Sequence, residues 1–289
     1  MTDDGTPVRI RHFTDPGCPF AFSAERQRLR LRWLYGSQLS WSTHMVVLAE
    51  TPPAHIEPER MAQSRRRMHE RYGMPMAWTP PPRSAASVHA CRAVVAARLR
   101  SEEHCGSLLR RLRVHCFAGR ALDDPAMIAL AAEESGIDPG ELDGWMRAPA
   151  TEAALRADMR AARSPSPASR AQDYKLGGPA EERRYTCPSY ELERAAPPPR
   201  DWPTAGRVDL PGFRPVEAYE AAIANLAPEL IRRPDPESPE EALAWAKMPL
   251  ATAEVAMVCD REIADVREQL GRMARFEPVG GDGYWSLAL

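Results

Sequence analysis

Residues 8–48 run strand, helix, strand, and this order constrains the fold more than anything that follows. "VRIRHFTD" (8–15) alternates apolar and polar side chains, the two-residue period of a half-buried strand. From Pro19 to Tyr35 the pattern is that of one helix: Pro19 suits its first turn, Phe22, Leu29 and Trp33 share a face, and Gly36 suits the stop. "QLSWSTHMVVL" (38–48) is a second strand with an apolar end. Strands joined by a helical crossover pair in parallel, so a βαβ unit and an α/β fold are expected. At the first strand–helix junction, inside "TDPGCPFAFSAE" (14–25), a lone Cys18 is followed at once by Pro19.

Residues 52–165 read as helices throughout. "HIEPERMAQSRRRMHERYG" ends at Gly73, and "SAASVHACRAVVAARLRS" is expected to be capped by Ser84. "GSLLRRLRVHCFAG" follows, then "DDPAMIALAAEESG" with Asp123 or Asp124 as cap, then "ELDGWMRAPATEAALRADMRAARS". Strand patterns return at 183–193 ("RRYTCPSYELE") and 206–213 ("GRVDLPGF"), a hairpin with a long Pro-rich loop, before an amphipathic helix at 215–230. "RRPDPESPE" reads as a charged linker. The last fifty residues then give three short helices and two strands around Gly-Gly-Asp-Gly, the order of a winged helix, with Trp245, Tyr284 and Trp285 as its expected core.

Charge argues against a nucleic-acid role. The formal net charge of the 289-residue chain is −2, and residues 238–289 carry nine acidic residues against five basic ones. The would-be recognition helix contains Glu262, Asp265 and Glu268, where a DNA reader should be basic. Lys175 and Lys247 are the only lysines; with abundant Ala and Pro, this is the coding bias of a GC-rich bacterial gene. The arginines of "SRRRMHER" and "LLRRLR" are expected on solvated helix faces. The start has no apolar signal region and no stretch is of membrane-spanning length, so a cytoplasmic protein without membrane contact is expected. The six cysteines form no CxxC pair, and the two His-Cys pairs of "HCGSLLRRLRVHC" would lie about 16 Å apart on a helix, so no metal site is expected. His12 and His44, on the strands flanking the first helix, read as structural.

In order, the elements are β–α–β, a helical block, then ββα. With Cys18-Pro19-Phe20-Ala21 at a helix N-terminus and Pro188 opening the third strand, the chain resembles the DsbA-like thioredoxin-fold superfamily. Within it, the FrnE-like group is similar, as are 2-hydroxychromene-2-carboxylate isomerases and kappa-class glutathione transferases. The resemblance, over about residues 7–230, implies a thioredoxin-like fold in two parts (1–51 and 169–233), a helical insertion (52–168) and a winged-helix-like module outside the shared core (238–289). It implies that Pro188 is a cis-proline facing Cys18, with Pro19, Phe20 and Ser87 lining the substrate groove. Two departures stand out. Ala21 occupies the place of a dithiol enzyme's second cysteine, and "ASVHACR" puts Ser87 near a family threonine and Cys91 at a family histidine, to which His89 does not correspond.

A thiol at a helix N-terminus meets unsatisfied N–H groups and the positive end of the helix dipole, so its thiolate is favoured. Without a cysteine at 21, a mixed disulfide on Cys18 needs another thiol to resolve it. Two sources are open: Cys187, which the fold would bring against Cys18 unless it turns inward as a buried residue, or a small thiol such as glutathione or mycothiol, with no cofactor bound tightly. The leading expectation is a monothiol DsbA-like oxidoreductase with catalytic Cys18 and Cys187, acting on a small thiol or a thiol/disulfide substrate. The alternatives are a small-thiol-dependent isomerase or transferase, in which a polar group at position 18 hydrogen-bonds the cofactor's thiolate, and a partner-binding scaffold on a retired redox fold, the tail serving as partner surface or dimer contact.

Overall fold

The computed structural model describes residues 7–54, 57–81, 83–195 and 206–287. Strand β1 (Val8–Thr14) leads through the Cys18 turn into α1 (Pro19–Ser23) and α2 (Glu25–Tyr35), then β2 (Leu39–Met45). The insertion contains α3 (Pro58–Tyr72), α4 (Val88–Arg98), α5 (Glu102–Phe117), α6 (Pro125–Glu133), α7 (Pro139–Arg147), α8 (Pro149–Ala162) and α9 (Pro167–Arg170). A two-residue pair, β3 (Leu176–Gly177) and β4 (Arg184–Tyr185), precedes β5 (Ser189–Arg194), β6 (Arg207–Leu210) and α10 (Val216–Leu226). The tail is α11 (Pro239–Ala246), β7 (Leu250–Ala251), α12 (Thr252–Cys259), α13 (Ile263–Leu270), β8 (Ala274–Val279) and β9 (Asp282–Leu287).

The main sheet has the order β2-β1-β5-β6, with β1 parallel to β2 and antiparallel to β5. This is the expected thioredoxin-like α/β fold. β2 is an edge strand, and its outward N–H groups are hazards if left open. The insertion closes that edge with two carboxylates: Glu102 accepts from the Thr43 N–H at 2.7 Å and Asp158 from the Met45 N–H at 2.9 Å. Asp158 also accepts from Arg98 at 2.7 Å and contacts the His44 ring at 2.9 Å.

Several local expectations change. The helix expected from Pro19 to Tyr35 breaks at Ala24, beside Glu25, whose carboxylate turns inward. The α4 helix begins at Val88, with Ser87 and not Ser84 at its N-cap. The strand expected over 183–193 is interrupted at Thr186–Pro188, and most of the long hairpin loop lies outside the described residues. A short strand, β7, joins the tail hairpin and was invisible at two residues long. The segment expected as a linker runs along α2: the Trp33 indole donates to the Pro234 carbonyl at 2.8 Å, and the Arg233 guanidinium lies 3.5 Å from the Trp33 ring centre. One apolar cluster then joins the sheet (Ile10, Leu192), α2 (Leu29, Trp33) and the tail (Val255, Trp285). Of the expected tail core, Trp285 belongs to that cluster and Trp245 packs against it at its edge. Tyr284 instead joins Phe22, Met74 and Phe117.

The largest correction concerns arginine. Arg65 of "SRRRMHER" and Arg110 and Arg113 of "LLRRLR" are buried, not solvated. Arg113 is fully enclosed; its guanidinium donates to Glu25 and to the Thr14 hydroxyl. Glu25 also accepts from Arg28 at 2.9 Å. Burial pushes the Glu25 carboxyl up, but Arg28 and Arg113 override it and hold the group well below the usual carboxylate range. One helical turn away, Arg110 pairs with buried Glu254 of α12 at 2.6 Å. Breaking a buried ion pair from one side strands the other charge. Arg113→Met is therefore expected to lower unfolding free energy by about 3–5 kcal/mol. Arg111 pairs with exposed Glu134 at 3.7 Å, and Arg111→Met should change the unfolding free energy by less than about 1 kcal/mol. Urea denaturation of both variants checks the contrast; equal losses would refute it.

Candidate active site

The β1 strand ends at Thr14, and the chain turns through Asp15, Pro16 and Gly17 to Cys18, the N-cap of α1. Asp15 fixes this turn from inside. Fully buried, it accepts from the Gly17 N–H and the Leu48 N–H, each at 2.8 Å, and from the Ser87 hydroxyl at 2.7 Å. The Cys91 thiol approaches the same carboxylate at 3.5 Å. A Cβ at Gly17 would come within 2.8 Å of the Leu122 Cδ1, so a larger residue before the cysteine has to displace the end of that side chain. Sequence reasoning does not single out Asp15. Its signals are an acidic residue just past a strand that is buried at that end, and its place at the head of the Asp-Pro-Gly-Cys-Pro stretch.

Cys18 and Cys187, 169 positions apart, meet in one apolar cluster with Phe13, Ala21, Val46 and Tyr185. The peptide between Cys187 and Pro188 is cis. The Cys18 thiol donates to the Cys187 carbonyl at 3.3 Å. As a thiolate, Cys18 accepts from the Cys187 thiol, the largest of the effects that lower its pKa. Burial works against this, and the N–H groups of Ala21 and Phe20 add to it while the nearby Asp15 charge opposes it. Cys187 is pushed well above the usual thiol range, first by burial and then by its bond to Cys18. The other four cysteines are also raised, chiefly by burial, Cys116 to about 12 and Cys259 to about 11. Cys18 alone of the six is tuned toward the thiolate.

The remaining candidates divide. Phe20 stands exposed beside the thiol, edge-on to Tyr72 and Phe213 at 6.2 and 6.4 Å, and forms an aromatic lip. Pro188 is buried. Ser87 is committed to Asp15, so its hydroxyl holds the turn. His12 is buried, stacked on Tyr190 at 4.7 Å without a hydrogen-bond partner among the described residues, and burial drives its pKa well down. A cleft of about 1010 Å³ lies on the other side of the turn, between it and the insertion. Gly17 and Pro19 line it, with Leu48, Met68, Phe117 and Leu122, whereas Cys18, Cys187 and Pro188 do not. Among the described residues no group of three His, Cys, Asp or Glu side chains could hold a metal ion, and no helix is long and apolar enough to cross a membrane.

Alkylation of Cys18 by iodoacetamide, followed by peptide mass spectrometry as a function of pH, reads these effects. The rate should reach half its plateau below the ordinary thiol value of about 8.5. Cys187→Ala removes the donor and should move that midpoint upward, slowing alkylation at neutral pH. An unmoved midpoint would show that the Cys187 thiol does not stabilise the thiolate.

Residues 9–166 match the family model of the DSBA-like thioredoxin domain. Three solved structures share the fold. One, assigned as a protein disulfide isomerase from Nitrosomonas europaea, is 18% identical with a TM-score of 0.56, covering 77% of this chain and 98% of its own. A second, assigned as a DsbA oxidoreductase from Streptomyces coelicolor, is 16% identical with a TM-score of 0.53, covering 78% and 92%. A 2-hydroxychromene-2-carboxylate isomerase is 15% identical with a TM-score of 0.50, covering 76% and 97%. Likeness at these identities is one of fold. No curated protein sequence matches the chain.

Proposed function

Because the chain belongs to the DSBA-like thioredoxin domain family, we propose that it is a thiol–disulfide oxidoreductase working through the single helix-end thiolate of Cys18, with Cys187 as the resolving thiol. The observation that carries this reading is the meeting of two cysteines 169 positions apart in one buried cluster, where the Cys18 thiol donates to the Cys187 carbonyl at 3.3 Å. Cys18 is drawn toward the thiolate, and Cys187 is kept protonated.

The chemistry follows from thiol exchange. The Cys18 thiolate attacks a substrate disulfide, bonds to one sulfur and releases the other as a thiolate. With Cys18 in the mixed disulfide, the Cys187 thiol gives its proton to the departing thiolate and attacks the Cys18 sulfur. The second substrate thiol leaves, and a Cys18–Cys187 disulfide forms. The substrate disulfide has gained two electrons and the protein has lost two. Two equivalents of a small thiol such as glutathione or mycothiol restore the reduced pair and leave as their own disulfide. Ala21, whose methyl is buried in the same cluster, supplies no nucleophile, so the pair spans two strands' ends instead of one helical turn. The exposed Phe20 lip provides an apolar contact for the incoming disulfide.

Mass spectrometry of the protein after mild oxidation with a small disulfide tests this. The expected product is the intramolecular Cys18–Cys187 disulfide, and Cys187→Ala should instead accumulate a mixed disulfide on Cys18. A Cys18 that stays free in both proteins sinks the redox reading. Retention of the small thiol without an adduct would replace that reading with a thiol-dependent isomerase or transferase.

A further inference from the structure

The cleft beyond the Cys18 turn has a wall that the thiol chemistry leaves unused. Its lining is mostly apolar and rich in methionine: Met61, Met68 and Met76 from or near α3, with Leu48, Phe117 and Leu122 opposite. Methionine is flexible and polarisable, and it fits irregular apolar shapes. Five arginines share this lining: Arg60, Arg65, Arg67, Arg83 and Arg120. The lining includes one carboxylate, that of Asp15, and both of its oxygens are already engaged by Gly17, Leu48 and Ser87.

Arg65 is the unusual member. It is 8% exposed, yet both of its hydrogen bonds among the described residues go to main-chain carbonyls, Ala77 at 3.1 Å and Thr79 at 3.4 Å. It has no carboxylate partner among the described residues. Among the described residues every other arginine this deeply buried is paired: Arg28 and Arg113 with Glu25, Arg110 with Glu254, and Arg30 with Asp235 at 2.7 Å. A buried cation without a counter-charge is costly, and an anion arriving beside it would offset that cost. On the rim, Arg83 is paired with Asp123, whereas Arg60, Arg67 and Arg120 are exposed and have no carboxylate partner among the described residues. Their field favours an anion approaching the mouth. The volume lies at the upper end of the range of small-molecule pockets, about 300–1000 Å³, so one ligand with a sizeable apolar body fits.

We propose that this cleft binds an amphipathic organic carboxylate, with its charged group at Arg65 and its apolar body against the methionine wall. The site is separate from the proposed redox exchange, and it opens on the Gly17–Pro19 face of the turn that carries the thiol.

Isothermal titration calorimetry with Cys18→Ser protein separates this proposal from thiol chemistry, because binding is read without a reactive sulfur. The probes are dodecanoate and dodecyltrimethylammonium, each below its micellar concentration. Dodecanoate is expected to bind at one site, and the cationic amphiphile at least about tenfold more weakly. Arg65→Gln should weaken dodecanoate at least about tenfold, and Arg65→Lys, which keeps the charge, by less. Met61→Glu puts a carboxylate on a half-buried part of the wall and should abolish anion binding, which covers the case in which Arg65→Gln fails to fold. Absence of dodecanoate binding, equal affinity for the two amphiphiles, or unchanged binding in Met61→Glu would each overturn the proposal.

Discussion

Arg113 holds both ends of the segment that carries the thiol. It comes from the middle of the helical insertion, is fully enclosed, and donates to Thr14 at the end of β1 and to Glu25 at the start of α2. Between those two residues lie the Asp15 turn, Cys18 and the first helix. The insertion is therefore no appendage to the sheet. Its Arg113 closes the ends of the site segment, its Ser87 holds Asp15 inside that segment, and its Glu102 and Asp158 seal the sheet edge. The tail joins the same arrangement through Arg110 and Glu254, one helical turn from Arg113. Each link is a charge or dipole out of water, which is stable only when its partner is in place. Sheet, insertion and tail accordingly depend on one another's positions.

That dependence marks where the sequence stops being readable. The βαβ opening, the helical block, the returning strands and the tail hairpin all follow from local periodicity and punctuation. Gly73 ends α3 in a left-handed conformation and Asp124 caps α6 through its side chain. Such signals lie within a few residues of what they control. Arg113 gives no such signal. Its partners are 88 and 99 positions away, and an arginine stripe on a helix has the same period whether it faces solvent or a buried carboxylate. The same applies to α2: Leu29 and Trp33 suggest one apolar face, but the sheet and the tail enclose the helix on several sides, burying Arg28 and Arg30 as well. Periodicity shows one face of an element, and a second covering layer has to come from elsewhere in the chain.

The site divides along the same line. Cys18 is legible because part of its activation is local, a helix N-terminus and two N–H groups a few residues ahead, although the largest contribution comes from Cys187. Cys187 is legible only through the resemblance in fold, since nothing near it shows which way it points. Asp15 and Ser87 show the reverse difficulty. Both lie in stretches the sequence marks, but the work they do is to bind each other across 72 positions, and Ser87 holds the turn while lining the cleft beside it.

Asp15 also sets a limit on how far the thiol can be activated. A buried carboxylate beside a thiolate is a like charge, and it raises the Cys18 pKa while the helix end and Cys187 lower it. The turn cannot do without it, because the N–H groups of Gly17 and Leu48 would lose their acceptor. Holding the turn in place thus works against charge on its sulfur. The Cys187 thiol is the largest effect on the other side, so in the proposed exchange the cysteine that takes the place of a residue-21 partner also favours the Cys18 thiolate. In a CxxC site those tasks fall within one helical turn. Here one comes from the helix end and the other from the far strand, and the cluster that joins them is closed by the buried methyl of Ala21.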